Sequence, residues 1–130
     1  MPDNSVITIR RRQLLCQITS GAISSIPPIT HIAFGKGGTD AAGNPIQPSA
    51  TATGLNDEIA QYPISSVSYP LTPPTTARYV VVIPDNDLPG ASINEAALVD
   101  SSGGLHAIKT FFVKRKDGGV TFTFTFDDEF

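Results

Sequence analysis

The side chains of this chain that could do chemistry are few and scattered: His31, His106, Glu95, the Asp85-Asn86-Asp87 run, Cys16 and the Gly35-Lys36-Gly37-Gly38 stretch. The glycine stretch follows an apolar run, as a phosphate-cradling loop does. Such a loop needs a Gly five residues before its Gly-Lys pair and a Ser or Thr after it, so that amides wrap the phosphates and a hydroxyl holds magnesium. Thr30 and Gly37 occupy those two positions, so phosphate binding is not expected; Gly35, Gly37 and Gly38 are instead expected to supply positive φ where a strand leaves the sheet into a long loop. Asp85-Asn86-Asp87 offers oxygen ligands to calcium. In a calcium loop beginning at Asp85, however, Pro89 falls on a ligand position and Ala96 stands where the bidentate Glu belongs. The run reads as a turn, where Asp and Asn bond their own backbone.

Glu95 lies in the strand-like segment Ile-Asn-Glu-Ala-Ala-Leu, and no second carboxylate or base sits at a spacing that would bring it alongside. Its carboxylate is either exposed or paired, with Arg78 the candidate partner. His31 and His106 also fall in strand-like segments, separated from the Cys, Asp or Glu that would complete a metal set or a nucleophile triad. No Gly-x-Ser-x-Gly elbow is present. Cys16 is alone, so it can form neither an intrachain disulfide nor a Cys-cluster metal site, and it is expected to be a small buried residue. The residues point to a protein that is not an enzyme and that uses no cofactor and no metal.

Charge is the second chemical signal. Arg10-Arg11-Arg12 and Lys114-Arg115-Lys116 hold six of the nine Lys and Arg residues, while Asp127, Asp128 and Glu129 make the C-terminus acidic. Arginines at a helix start oppose the helix dipole, so their placement needs a reason. Each basic cluster is either solvated or docks on an acidic patch, and a neighbouring copy's acidic tail is one such patch. The net charge of -3 gives no general attraction to nucleic acid or anionic membrane, and no aromatic stacking residues accompany the basic runs. Lys36, a solvated loop cation, completes the charged interaction candidates. Val6, Ile7 and Ile9 add apolar ones, because they precede the expected helix and have no place in the expected core.

These side chains must be positioned by short elements, because eleven prolines and eleven glycines divide 130 residues into small pieces. The expected fold is mainly β (α+β): an antiparallel β-sandwich-like domain with one N-terminal helix, residues 1–10 forming an arm and residues 11–130 the domain. Leu14, Leu15, Ile18 and Ala22 recur at helical spacing and place the helix over residues 11–23. A first strand follows at 30–34. Residues 37–47 then form a polar loop, too poor in apolar groups to order itself and expected to order against another chain. Strands are expected at 62–69 and at 78–83, the latter a continuous apolar run that predicts a sheet centre buried on both faces. Segments 93–100 and 105–113 flank Ser101-Ser102-Gly103-Gly104 as a hairpin. In the last strand Phe122, Phe124 and Phe126 alternate with threonines, which places the rings inside and the threonines outside. No apolar run reaches the ~18 residues of a membrane span, and the N-terminus lacks the basic-then-apolar order of a signal peptide.

In order and content these segments resemble the N-terminal, baseplate-proximal domain of phage tail-collar fibre proteins. The resemblance is carried by the helix leading into "ITHIAFGKGG", by "PSATATGLNDEI", by "YPISSVSY" and "ARYVVVIP", and by "ASINEAALVDSSGGLHAI", with Glu95, Asp100 and Gly104 its most diagnostic points. It covers roughly residues 14–126. The resemblance implies a structural virion protein of a phage tail or related contractile particle, made in the host cytoplasm and located in the tail near the baseplate. It would act as a baseplate-to-fibre adaptor or as the anchoring domain of a fibre, with a baseplate protein and a tail-fibre protein as partners. It also implies a homo-oligomer, a trimer by analogy with the fibres. The alternative reading is a carbohydrate- or surface-binding β-sandwich module, against which the absence of Trp and the core-facing phenylalanines count.

Overall fold

A computed structural model describes residues 4–130. Two antiparallel sheets pack face to face. The larger has the order β1-β7-β6-β2-β3, formed by β1 (Ser5–Ile7), β2 (Ile29–Gly35), β3 (Glu58–Pro63), β6 (Ala91–Asp100) and β7 (Leu105–Lys116). The smaller has the order β4-β5-β8, formed by β4 (Ser66–Ser68), β5 (Thr76–Ile83) and β8 (Phe122–Glu129). A single helix, α1 (Ile9–Thr19), lies between β1 and β2 in sequence. The fold is therefore the mainly β, one-helix architecture that the turn density predicts.

The main core fills the space between the sheets. Phe124 is central to it, its ring 5.2 Å from Phe34 in an edge-on contact and 5.4 Å from Phe111. Phe124 and Phe126 are buried, Phe122 is half-buried, and Thr121, Thr123 and Thr125 are exposed, as the alternation predicts. A second cluster, Ala33, Ala97, Val99, Leu105 and Ile108, lies on the opposite face of the larger sheet under Val6, Ala52 and Leu55. Covering on both sides makes β6 the doubly buried strand, without an exposed residue from Ile93 to Asp100. The apolar run at 78–83 had been expected in that role. It is the centre of the smaller sheet, but that sheet's outer face is uncovered and Val82 is 41% exposed.

Several boundaries differ from the sequence reading for local reasons. The helix begins two residues earlier than expected because Thr8 caps it, its hydroxyl oxygen accepting from the Arg11 amide. It ends at Thr19, so Ala22 lies outside it. Cys16 is exposed rather than buried, because the helix turns Leu14, Leu15 and Ile18 partly inward and Cys16 away. The segment 62–69 is two strands, β3 and β4, in different sheets. The arm does not stand apart from Ser5 onward: β1 pairs with β7 from Ser5 opposite Lys109 to Ile7 opposite Ala107, and Ile9 and Arg10 open the helix. Met1 to Asp3 lie outside the described residues.

The loop at 37–47 is ordered by its own chain. Asp40 accepts from the amides of Ala42 and Asn44 in a side-chain turn, the Ile46 amide reaches Gly38 O, and Thr110 Oγ1 donates to Ile46 O at 2.6 Å. Backbone and side-chain hydrogen bonds do what apolar burial could not.

Candidate functional site

Two nodes are built around buried carboxylates, Asp100 and Asp128 in one and Glu95 in the other. The first lies where the helix start touches the end of the β6–β7 hairpin. Thr8 fixes it: its amide donates to His106 O at 3.0 Å and its hydroxyl to Leu105 O at 2.6 Å. That contact sets Arg10 and Arg11 over the hairpin. Arg10 donates through Nε and Nη2 to Asp100 Oδ2 at 3.0 and 2.8 Å, while the amides of Ser102 and Gly104 donate to Asp100 Oδ1. Gly104 leaves room for this arrangement, because a Cβ there would displace the Arg10 guanidinium from its present position.

Arg11 is 3% exposed and forms a two-pronged pair with Asp128, Nη1 to Oδ1 at 2.5 Å and Nη2 to Oδ2 at 2.6 Å. Its Nε–H donates to His106 Nδ1 at 3.1 Å. Nδ1 must therefore be an acceptor, so the proton of a neutral imidazole sits on Nε2 and is donated to Asp100 Oδ2 at 2.8 Å. Burial pushes the His106 pKa down. The Asp100 bond opposes that shift and the Arg11 charge adds to it. For Asp100, burial acts to raise the pKa, but the hydrogen bonds from Arg10, His106, Gly104 and Ser102 prevail and hold it below the usual carboxylate range. The two carboxylates also explain the arginines at the helix start. No acid lies in the helix's own first turn, and β6 and β8 supply the compensating negative charge.

The second node is Glu95, 2% exposed. It does not pair with Arg78, which bonds Asp127 instead through Nε at 2.8 Å and Nη2 at 3.0 Å. The Arg78 hydrogen bond lowers the Asp127 pKa, with burial acting against it. Glu95 accepts three backbone amides: Gly37 at 2.8 Å and Asp57 at 2.9 Å on Oε2, and Asn56 at 3.0 Å on Oε1. The neighbouring Asn94 accepts from the Gly38 amide at 2.7 Å. These contacts correct the reading of the glycine stretch. Gly35, Gly37 and Gly38 do not adopt positive φ; they let backbone lie against Glu95 and Asn94, where a Cβ at any of the three would meet carboxylate or backbone atoms.

The acidic tail is not a tail. Residues 126–129 belong to β8, and Asp127 and Asp128 are both paired within the chain, so they are not the patch that a neighbour's basic cluster would meet. Lys114, Arg115 and Lys116 end β7. Lys116 is 1% exposed and donates to the carbonyls of Asp85 and Asp117, so it is a structural cation. Arg115 pairs with Asp117 at 3.2 Å on the surface. Of the other candidates, Arg12, Lys36, Lys114 and Glu129 are exposed, Ile9 is 39% exposed, Ile7 is half-buried, and Val6 packs on the second core cluster. Arg12 and Ile9 share a shallow depression on α1 with Gln13, Cys16 and Gln17. Asp87 in the turn cluster accepts from the Tyr62 hydroxyl at 3.0 Å, and His31 contacts Thr30 Oγ1 at 2.9 Å.

Asp128 was the inward carboxylate that sequence reasoning missed, and a signal for it existed. The alternation that turns Phe122, Phe124 and Phe126 inward continues to residue 128, which predicts a buried Asp in need of a cation. The imidazole is held on both nitrogens, and the Glu95 oxygens are occupied by amides. Among the described residues no helix is long and apolar enough to cross a membrane. Comparison with known proteins found no matching family model, no matching curated protein and no matching solved structure.

Proposed function

We propose that this chain is a structural protein of a phage tail or related contractile particle, joining a fibre to the baseplate as an adaptor or as the fibre's anchoring domain. The observation that carries this reading is the convergence of the segments in which the resemblance resides. The Gly35–Gly38 turn, the "GLNDEI" segment and Glu95 meet through three hydrogen bonds, and Asp100 and Gly104 meet at Arg10. Residues that resemble a family's signature one by one are here the joints of one scaffold, which supports reading them as a unit.

Function on this reading is binding geometry, with a homo-oligomer, a trimer in keeping with fibre symmetry, as the working form. Contacts between copies would involve cations left outside the internal pairs, such as Arg12 and Lys36, rather than the Asp127–Asp128 segment. Deleting the gene in the producing cell tests the proposal. Particles should retain tails and lose fibres in negative-stain images, and the purified wild-type particle should carry three copies of the chain per fibre. Fully fibred particles from the deletion strain, or wild-type particles that lack the chain, would overturn it.

A further inference from the structure

Among the described residues the two sheets end in β1, β3, β4 and β8, and the first three of these strands are poor templates for another strand. Among the described residues β1 and β4 have three residues each, and β3 ends in Pro63 and faces a bulge in its pairing with β2. The edge at β8 is different: eight residues pair with β5 from Phe122 to Glu129 without a register break, and residues 122–126 carry neither Pro nor Lys. The Phe130 amide donates to Thr75 O, which extends that register and fixes its phase. Residues 122, 124, 126 and 128 therefore turn their backbone groups toward β5. Thr123, Thr125 and Asp127 turn theirs to the open side.

Beside this edge the larger sheet overhangs the smaller one. Lys109, Phe111, Lys114, Phe122 and Phe124 line a groove of about 420 Å³ between β7 and β8. The Lys109 ammonium lies 5.8 Å from the Phe124 ring and 5.7 Å from the Phe126 ring, and Lys114 lies 5.9 Å from Phe111. Neither lysine forms an ion pair among the described residues. Among the described residues the groove thus presents an aromatic floor with two cations outside any ion pair, next to a row of backbone donors and acceptors that face no further strand.

We propose that β8 is a strand-acceptor edge: an extended segment of another protein adds to it as the fourth strand of the smaller sheet, with carboxylates at groove-facing positions. Backbone bonds to Thr123, Thr125 and Asp127 supply affinity, while side chains two residues apart enter the groove and supply selectivity. An apolar side chain covers Phe111, and an acidic one on either side of it meets Lys109 and Lys114. Such an edge recruits a strand whether or not the chain works in a particle.

A labelled peptide of sequence Thr-Glu-Thr-Val-Thr-Glu-Thr, titrated by fluorescence anisotropy into the full chain, tests this. It should bind, and a version with Lys in place of Glu should bind about tenfold more weakly at low salt. Two further versions carry N-methyl groups, one on the Thr amides and one on the Glu and Val amides. A strand pairs through one edge only, so one version should lose binding and the other keep it. Amide exchange at Thr123, Thr125 and Asp127 should slow when the parent peptide is bound. Absence of binding, equal effects of the two methylations, or protection confined to another strand would overturn the proposal. So would protection of Thr123 and Thr125 that rises with protein concentration without peptide, which would assign the edge to a second copy of this chain.

Discussion

Replacing Glu95 with Ala should unfasten the two loops that it gathers. Three amides lose a charged acceptor, and at about 1.5–3 kcal/mol for each such bond the uncompensated loss would be roughly 5–9 kcal/mol. Compensation is available, because a cavity of about 150 Å³ beside Glu95, lined also by Asn56 and Thr110, has room for water. Asn56 and Asp57 are exposed residues whose amides such water can reach, whereas Gly37 is half-buried. The expected cost of Glu95→Ala is therefore about 3 kcal/mol. Glu95→Gln keeps the shape and one acceptor oxygen. That oxygen can serve Gly37 and Asp57 together, leaving an NH₂ facing the Asn56 amide, so about 1–2 kcal/mol should be lost. Urea unfolding gives the two values, and amide exchange at Gly37, Asn56 and Asp57 reports the local effect. A Glu95→Ala protein within 0.5 kcal/mol of wild type, or unchanged exchange at all three amides, would refute the assignment of Glu95 as the tether.

Arg11→Met should cost about 3–5 kcal/mol by leaving Asp128 buried and unpaired, and adding Asp128→Leu should recover much of the loss in the same unfolding assay. Phe124→Ala, which empties the centre of the core, should cost about 3–5 kcal/mol; a change within about 0.5 kcal/mol would place the ring outside the core. The folded-state pKa of His106 is depressed, so the unfolded chain binds more protons as pH falls below about 6.5, and stability should decline from there down to the folded-state value. His106→Gln should flatten that decline, leaving the further loss at lower pH as Asp100, held below its ordinary range, takes up its proton; an unchanged slope in the variant would assign the titration to another group.

What could be read from sequence was whatever depends on near neighbours. The Phe-Thr alternation of β8, the hairpin around Gly103 and the strand after Pro28 follow from period and turn chemistry, and the structure has all three. The break between β3 and β4 was missed although a signal existed: Tyr62 and Ile64 alternate in one phase and Val67 and Tyr69 in the other, and the phase slips at Ser65-Ser66, between two strands that join different sheets. The site was harder still. Arg78 stands closer in sequence to Glu95 than to Asp127, yet pairs with Asp127 because β5 and β8 run side by side. Spacing also hid the role of the glycines at 35–38, since their need arises from a carboxylate nearly sixty residues away across the sheet rather than from their own turn.

The pairing of Arg11 with Asp128 spans 117 residues, and the Thr8 bond to Leu105 spans 97. During synthesis the helix start emerges well before its partners, so Thr8 has nothing to lock against until Leu105 has left the ribosome, and Arg11 has no carboxylate until Asp128 follows. Ordering of this N-terminal region becomes a closing event rather than a nucleus, and loop-closure entropy makes it slow compared with formation of the local β6–β7 hairpin. Loss of Asp128 from β8 would then be felt at the helix start, through Arg11. A nascent polypeptide stalled short of residue 128 would hold the helix start on the hairpin through Thr8 and Arg10 while Arg11 still lacked its carboxylate.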